Sequence, residues 1–227
     1  LLGELDRIEG LEWIRISYLQ PAELRPSLVD VMLSTDKVVP YFDLSFQHAS
    51  PAVLRRMRRF GGTESFLELL AQARTLVPAA GARSNVIVGF PGETEAQLDV
   101  LADFLAEARL DAVGVFGYSD EEGTEGAKLS PKVPQEVIDE RVDRVSGLVD
   151  EVSADRAADR IGERVQVLVE AAGEGGSWTG RAAHQGPETD GQTVLVARTT
   201  KARPGDLVWG RVTGADGVDL TVEVEPG

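Results

Sequence analysis

The run Arg83-Ser84-Asn85-Val86-Ile87-Val88-Gly89-Phe90-Pro91-Gly92-Glu93-Thr94 decides the fold. Val86-Ile87-Val88 is too short for a helix and β-branched throughout, the pattern of a strand buried on both faces. Gly89, Pro91 and Gly92 turn the backbone out of that strand. Thr94 is placed as the N-cap of the next helix, and Gln97 three residues later completes a capping box. The amphipathic run from Gln97 to Ala108 is that helix. Strand, glycine turn and capped helix make one βα unit, and ligands of α/β proteins gather where such strands end. Spacing alone leaves two readings of the glycines level: they serve the turn, or they let a ligand approach the backbone.

Working outward, the same unit recurs. Trp13 to Tyr18 alternates apolar and polar residues and is predicted to be a strand. Pro26 opens a helix through Met32 and Leu33, and Pro40 precedes a strand over Tyr41 to Phe46. Ser50-Pro51 begins a helix that holds Arg55, Arg56, Arg58 and Arg59 and ends at Gly61-Gly62. Phe66 to Val77 is a helix, Ala112 to Tyr118 a strand, Ser119 to Pro134 a loop, and Val137 to about Ala158 a long charged helix. Strict alternation predicts a parallel sheet covered by helices, and four such units are half of an eight-unit barrel.

Past Arg160 the helical period disappears. Short β-rich runs follow at Arg164–Glu170, Ser177–Arg181, Thr193–Ala197, Asp206–Thr213 and Val218–Val224, with turns at Gly173-Glu174-Gly175-Gly176, Pro187, Pro204-Gly205 and Ala215-Asp216-Gly217. Five short strands in this span suit a small barrel of OB-like size. The expected class is therefore α/β: a partial (βα) barrel over residues 1–160 followed by an all-β barrel over residues 161–227.

The 227 residues are 42% hydrophobic, enough for a core, and carry a net charge of −15. Such a field repels phosphate backbones, so nucleic acid is not an expected partner, and it attracts basic proteins. No apolar window is long enough for a membrane span. The chain starts Leu1-Leu2-Gly3-Glu4, without Met or a basic leader, so the expectation is a piece of a longer protein with no signal peptide. It contains no cysteine, hence no thiolate metal site.

Gln47 and His48 lie just past a predicted strand, where catalytic groups sit in barrels. A lone His there is read as a hydrogen-bonded structural residue rather than a base. With arginines on both sides of one helix, at least one is expected to face the sheet edge, where its fork suits a carboxylate or phosphate. Tyr118 and Ser119 end a strand and are placed near Gly89. No nucleophile–base pair, paired carboxylates or His-rich metal site is present, so no catalytic residue is assigned. Residues alone give a small-molecule site at the strand ends and a β-barrel accessory.

Taken together, Asp43-Leu44-Ser45-Phe46-Gln47-His48-Ala49-Ser50, Val53-Leu54, Met57-Arg58-Arg59, Arg83 through Thr94, Phe116-Gly117-Tyr118-Ser119 and Glu122-Gly123-Thr124 resemble the radical SAM methylthiotransferases. The branch they resemble most is the one that methylthiolates an aspartate of small-subunit ribosomal protein twelve. Gln47-His48 has that branch's form, where the tRNA-modifying branch shows Gln-Ser-Gly. Gly180-Arg181, Pro187-Glu188, Asp190-Gly191 and Pro204-Gly205-Asp206 look like the family's C-terminal TRAM domain. Departures lie at Ser45-Phe46, Phe60, Gly126-Ala127 and Ala182-Ala183-His184.

The resemblance implies a parent with two 4Fe–4S clusters, one held by three cysteines of an N-terminal domain and one by a CxxxCxxC loop. It implies S-adenosylmethionine as the source of a radical that abstracts hydrogen from an aspartate β-carbon before sulfur and methyl are installed. This chain has none of those cysteines, so it is expected to bind no cluster and to be inactive alone. By match, the S-adenosylmethionine pocket keeps Gln47, Arg59, Arg83, Ser84, Gly89, Glu93, Phe116 and Tyr118. The expected location is cytoplasmic.

Residues 161–227 carry six Lys and Arg against ten Asp and Glu. An RNA-gripping barrel is expected to be basic, whereas an acidic one suits a basic ribosomal protein. The competing readings are a tRNA methylthiotransferase, which needs Arg164, Arg181, Arg198, Lys201, Arg203 and Arg211 on one face, and a cysteine-free binding module.

Overall fold

The computed structural model describes residues 1–173, 176–187, 190–196 and 202–225. Its first layer is a three-stranded parallel sheet of β1 (Tyr41–Gln47), β2 (Gly81–Val88) and β3 (Ala112–Gly117), in that order. The helices are α1 (Leu2–Asp6), α2 (Pro26–Ser34), α3 (Pro51–Arg56), α4 (Thr63–Leu76), α5 (Glu95–Ala108) and α6 (Gln135–Asp159). Parallel strands need crossovers, which α3 with α4 and then α5 supply; α6, after β3, packs with them on the same sheet face. Phe42, Leu44 and Phe46 of β1 and Ala82, Val86 and Val88 of β2 alternate onto that face and join one core with Phe66, Leu101 and Phe104. Phe46, Phe66 and Phe104 meet there with ring centroids 4.5–5.9 Å apart. The other face carries Asp43, Arg83, Asn85 and Ile87.

The predicted first strand is not one. Trp13–Tyr18 and its neighbour make only isolated parallel bridges, Ile14 to Val38 and Leu19 to Leu44. Its side chains are engaged elsewhere: Trp13 Nε1 donates to Gln166 Oε1 at 2.9 Å, and Arg15 Nη2 to the Ala183 carbonyl at 3.1 Å. The sheet therefore has three strands where the alternation suggested four. The helix expected to span all four arginines also stops early, at Arg56.

The second layer is a closed barrel of β4 (Arg164–Ala172), β5 (Trp178–Ala182), β6 (Thr193–Val196), β7 (Leu207–Asp216) and β8 (Asp219–Val224), ordered β4-β5-β6-β8-β7. Its core holds Val167, Leu195, Val212, Leu220 and Val222. Glu174-Gly175 of one predicted turn, Ala197 of a predicted strand, Glu188, Arg198 and Lys201 lie outside the described residues.

The barrel docks at the end of the sheet where the strands begin. A Cβ on Gly81, the first residue of β2, would stand 2.4 Å from the His184 carbonyl oxygen, so the two backbones close up only because that side chain is absent. Asp190, 4% exposed, accepts from the Tyr41 hydroxyl at 2.5 Å and the Gly186 N–H at 2.8 Å, and pairs with Arg83 Nε at 3.1 Å. Arg160, 1% exposed, donates to Asp111 Oδ1 at 2.9 Å, Glu163 Oε2 at 2.9 Å and the Ala79 carbonyl at 3.2 Å. Helix α6 has 25 residues, about 37 Å of helix. It bridges the ends of the molecule: Ile138 packs at Gly89, and Ala157 enters the barrel core. Among the described residues no helix is long and apolar enough to cross a membrane.

His184 is buried in this junction. Burial pushes its pKa well below the ordinary imidazole value, and the charges of Arg160, Arg156 and Arg15 add to the shift. Above about pH 6.5 the ring is neutral both folded and unfolded; below it only the unfolded chain takes the proton. Stability is therefore expected to fall from pH 6.5 to 5.5 at up to about 1.4 kcal/mol per pH unit. Denaturant midpoints across that window check it, and His184→Gln should remove this part of the slope.

Candidate functional site

At the opposite end, where the strands finish, an open cleft of about 340 Å³ lies between Gln47, the segment Arg56–Arg59, Ile87, Phe90, Tyr118 and the loop through Glu125. A neighbouring hollow of about 370 Å³ shares Met57, Arg58 and Arg59 and adds Ser45 and Gln20.

Each wall follows from local backbone chemistry. Strand β1 slips register against β2 between Leu44 and Gln47. Ser84 repairs the break from inside: its Oγ donates to the Leu44 carbonyl at 2.5 Å and accepts from the Phe46 N–H at 3.1 Å. Gln47 follows the slip at φ +64 and turns to the cleft. Helix α3 then ends with crossed bonds, Arg59 N–H to the Leu54 carbonyl at 2.8 Å and Arg58 N–H to the Arg55 carbonyl at 3.1 Å. This C-cap places Arg58 at φ +57, where glycine is usual, and the left-handed backbone costs an arginine about 1 kcal/mol.

The β2 turn is built around Glu93, whose side chain is fully buried. Its Oε1 accepts from the Gly89 N–H at 2.9 Å and from Arg141 Nη1 of α6 at 2.8 Å. Its Oε2 faces His48 Nε2 at 3.4 Å, longer than an ordinary hydrogen bond. His48 Nδ1 accepts the N–H groups of Ala49 and Ser50, both at 2.9 Å, which places the ring proton on Nε2. His48 thus organises the entry to α3, the structural role read from the sequence. Gly89 stands at φ +77 with a would-be Cβ only 2.5 Å from Ile138 Cγ1. The glycine makes the turn, and it is α6 that closes on its backbone. The capping box is seen in the Thr94 N–H bond to Gln97 Oε1 at 3.2 Å.

The electrostatics of the cleft are unusual for so acidic a chain. Arg59 Nη1 donates to the Ser45 carbonyl at 3.2 Å and Gln20 Oε1 at 2.9 Å. Arg56 Nη2 donates to the Gly92 carbonyl at 3.0 Å and Gln97 Oε1 at 2.9 Å. These oxygens are all neutral, and among the described residues neither guanidinium has a carboxylate partner. Burial pulls Arg59 below the ordinary arginine value. Across the cleft, Tyr118 packs edge-on to Phe90 with centroids 5.0 Å apart and donates its hydroxyl to Asp120 at 2.8 Å. Burial first, then that hydrogen bond, pushes the phenol up to about 12, so it stays a proton donor at neutral pH.

Family descriptions match both layers: the radical SAM superfamily over residues 1–105 and the TRAM domain over residues 161–224. The ribosomal protein uS12 methylthiotransferase of Kineococcus radiotolerans is 60% identical over 227 residues, covering 98% of this chain and 47% of that relative. Its namesake in Streptomyces avermitilis is 56% identical over 227 residues, covering 100% and 46%. The chain carries a radical SAM domain followed by a TRAM domain. It spans about half the length of the curated relatives it matches. Coproporphyrinogen III oxidase of Escherichia coli, described as a radical SAM enzyme, shares the fold with a TM-score of 0.52 at 18% identity, over 63% of this chain and 32% of that one.

Radical SAM proteins use S-adenosylmethionine and iron–sulfur chemistry. The donor set here fits the first: a half-buried guanidinium without a carboxylate, a glycine turn, and an apolar wall of Ile87 and Phe116. It does not fit a cluster. The chain has no cysteine, and among the described residues no group of three or more His, Cys, Asp or Glu is placed to hold a metal ion.

Of the eight residues matched to the family pocket, Gln47, Arg59 and Tyr118 line the cleft, the Gly89 turn borders it, and Phe116, half exposed, lies beside Ile87 across the β2–β3 register. The other three point elsewhere. Ser84 is wholly buried at the register slip, Glu93 is the hub beneath the turn, and Arg83 is paired with Ala112 at the start of β3 and bonded to Asn85 Oδ1 at 2.9 Å. Arg83 also pairs with Asp43 at 3.5 Å and with the barrel's Asp190. The reason is the period of the strand: alternate residues face opposite sides, and Arg83 stands near its far end. Arg56, Arg58, Ile87, Phe90 and Glu125, outside those eight, complete the cleft, and Arg56 and Arg58 are among the arginines expected to place at least one member at the sheet edge. A signal for Arg58 was present: no glycine follows helix α3 where its C-cap needs one.

Proposed function

We propose that residues 1–160 form the S-adenosylmethionine side of a protein that methylthiolates the β-carbon of an aspartate in a basic small-subunit ribosomal protein, and that residues 161–227 form a docking barrel. The observation that carries this reading is the Arg59 guanidinium, held in the cleft by neutral oxygens alone. An anionic group completes that environment, and the methionyl carboxylate of S-adenosylmethionine has the right charge. Gln47 offers an amide to the ribose, and the backbone turn at Gly89 with Phe116 and Ile87 offers an apolar wall to the adenine. Tyr118, its hydroxyl bonded to Asp120, walls the far side. Glu93 and Ser84 act beneath the surface, one holding the turn and the other the strand register, and Arg83 ties the sheet to the barrel. When bound, S-adenosylmethionine supplies the radical and methyl chemistry. The ligands of two 4Fe–4S clusters belong to parts of the protein outside this chain, and the cytoplasm is the location this reading entails.

The relatives' names support the ribosomal substrate, and so does charge. Arg164 pairs with Glu225 at 2.8 Å and stacks over Trp209, and Arg181 pairs with Glu170 at 2.7 Å. With these two arginines paired inside the barrel and ten Asp and Glu against six Lys and Arg over residues 161–227, the barrel suits a basic protein better than a phosphate backbone. The test gives the full-length protein, its clusters reconstituted, both the ribosomal protein and an unmodified tRNA anticodon stem-loop, with mass spectrometry of each. A methylthio group on the ribosomal protein is expected. The same group on the RNA, or on neither, rejects the reading.

A further inference from the structure

Arg58 is the cation of the cleft that the fold does not consume. Arg56 and Arg59 are each held by two oxygens of the protein frame. Arg58 instead reaches Glu125 Oε2 at 3.4 Å across the opening, with both side chains largely in solvent. Its position contradicts local preference, since the C-cap of α3 calls for glycine at φ +57. Gln47, also at a positive φ of 64°, lines the same cleft. Strained backbone gathers where the placement of a side chain matters. Two left-handed non-glycine residues on one cleft point to a function for those side chains that the C-cap and the register slip do not require.

Resting on the methylthiotransferase reading above, we propose that Arg58 grips the side-chain carboxylate of the acceptor aspartate, which takes the place that Glu125 holds in the free protein. A guanidinium fork matches a carboxylate with two parallel N–H···O bonds. That grip fixes the β-carbon one bond away, inside the cleft. Glu125 shows that this guanidinium already accepts a carboxylate from across the opening, and a contact of 3.4 Å between solvated groups is readily exchanged. The same grip supplies specificity. In a chain of net charge −15 an acidic side chain is repelled unless a local cation receives it, and an amide of the same shape forfeits the ion pair.

The test uses the full-length protein with its clusters and its ribosomal protein substrate. Arg58→Gly removes the guanidinium and relieves the left-handed backbone, so its thermal midpoint is expected to equal or exceed the parent's. The KM for the ribosomal protein is expected to rise about 10- to 100-fold, the range of a lost charge-assisted hydrogen bond. Affinity for S-adenosylmethionine is expected to stay unchanged. Arg58→Lys should recover part of the loss, and Glu125→Gln should leave KM equal or lower. A ribosomal protein with asparagine at the acceptor position should bind the parent more weakly than the natural one, while Arg58→Gly should bind both alike. A parental KM in Arg58→Gly, weakened S-adenosylmethionine binding, undiminished discrimination against asparagine, or a raised KM in Glu125→Gln overturns the proposal. A parent that neither binds nor modifies the ribosomal protein overturns the functional reading, and this proposal with it.

Discussion

Glu93→Ala is expected to destabilise the protein by about 3–5 kcal/mol, the cost of breaking a buried pair by removing one partner. The carboxylate is fully buried and receives the Gly89 N–H and Arg141 on the same oxygen. Without it, a guanidinium only 10% exposed keeps the residue-93 backbone carbonyl at 3.3 Å and a 3.4 Å contact to the exposed Glu95, but no buried counter-charge. The Gly89 N–H also loses its acceptor, and the turn that closes β2 loses its charged tie to α6. A chain of this size loses about 2–4 °C of Tm per kcal/mol, so the midpoint should drop on the order of 10 °C. Glu93→Gln separates the two effects: its amide oxygen can still accept from Gly89, but it offers no charge to Arg141. An intermediate loss is expected from it in calorimetry or denaturant unfolding. Equal stability of Glu93→Ala and the parent would show that the hub does not hold the turn. This residue was matched to a ligand-binding motif; its burial makes it a positioning residue, reaching the cleft only through the backbone it fixes.

Asp190→Ala should cost a similar amount, about 3–5 kcal/mol, for the same physical reason at the other end of the molecule. Asp190 lies in the barrel, yet it accepts the hydroxyl of Tyr41 and pairs with Arg83, both on the sheet. Burial, the largest cause of the raised Tyr41 pKa, remains once Asp190 is gone and leaves the phenol a buried donor without its acceptor. Arg83, 17% exposed at its side chain, keeps Asp43 only at 3.5 Å. Unfolding of sheet and barrel should therefore separate, with two calorimetric transitions replacing a joint one. Asp190→Asn, which keeps an acceptor for Tyr41, should fall between. If docking rests on the Arg160–Asp111 cluster instead, Asp190→Ala will leave the transitions joined.

Much of this architecture was legible in the sequence because its signals are local. Val86-Ile87-Val88 before a glycine turn, and Thr94 with Gln97, specify strand, exit and helix start within a dozen residues. The β-runs after Arg160 alternate with a period of two, and each became a strand of the closed barrel. Trp13–Tyr18 shows where local signals fail. Its alternation suits a strand, but Trp13 and Arg15 are drawn to Gln166 and Ala183, more than 150 residues away in the chain. Such contacts leave no trace in a short window, and they outweighed the strand preference.

The pocket divides along the same line. Gln47, Arg59, Tyr118 and the Gly89 turn could be read as neighbours because each follows a strand or its helix, and parallel strands finish on one edge. Whether a given side chain faces that edge depends on register and burial. A one-residue slip between Leu44 and Gln47 turned Ser84 into the plug of a bulge. The closure of α6 turned Glu93 inward, and the docking of the barrel claimed Arg83. The sequence by itself determined the order of elements, the absence of cluster-binding thiolates and the family's motifs, because these rest on residue identity and short-range periodicity. Only the tertiary structure decided which polar groups face the cleft and which hold the two layers together. A buried charge must find its counter-charge wherever the folded chain brings one.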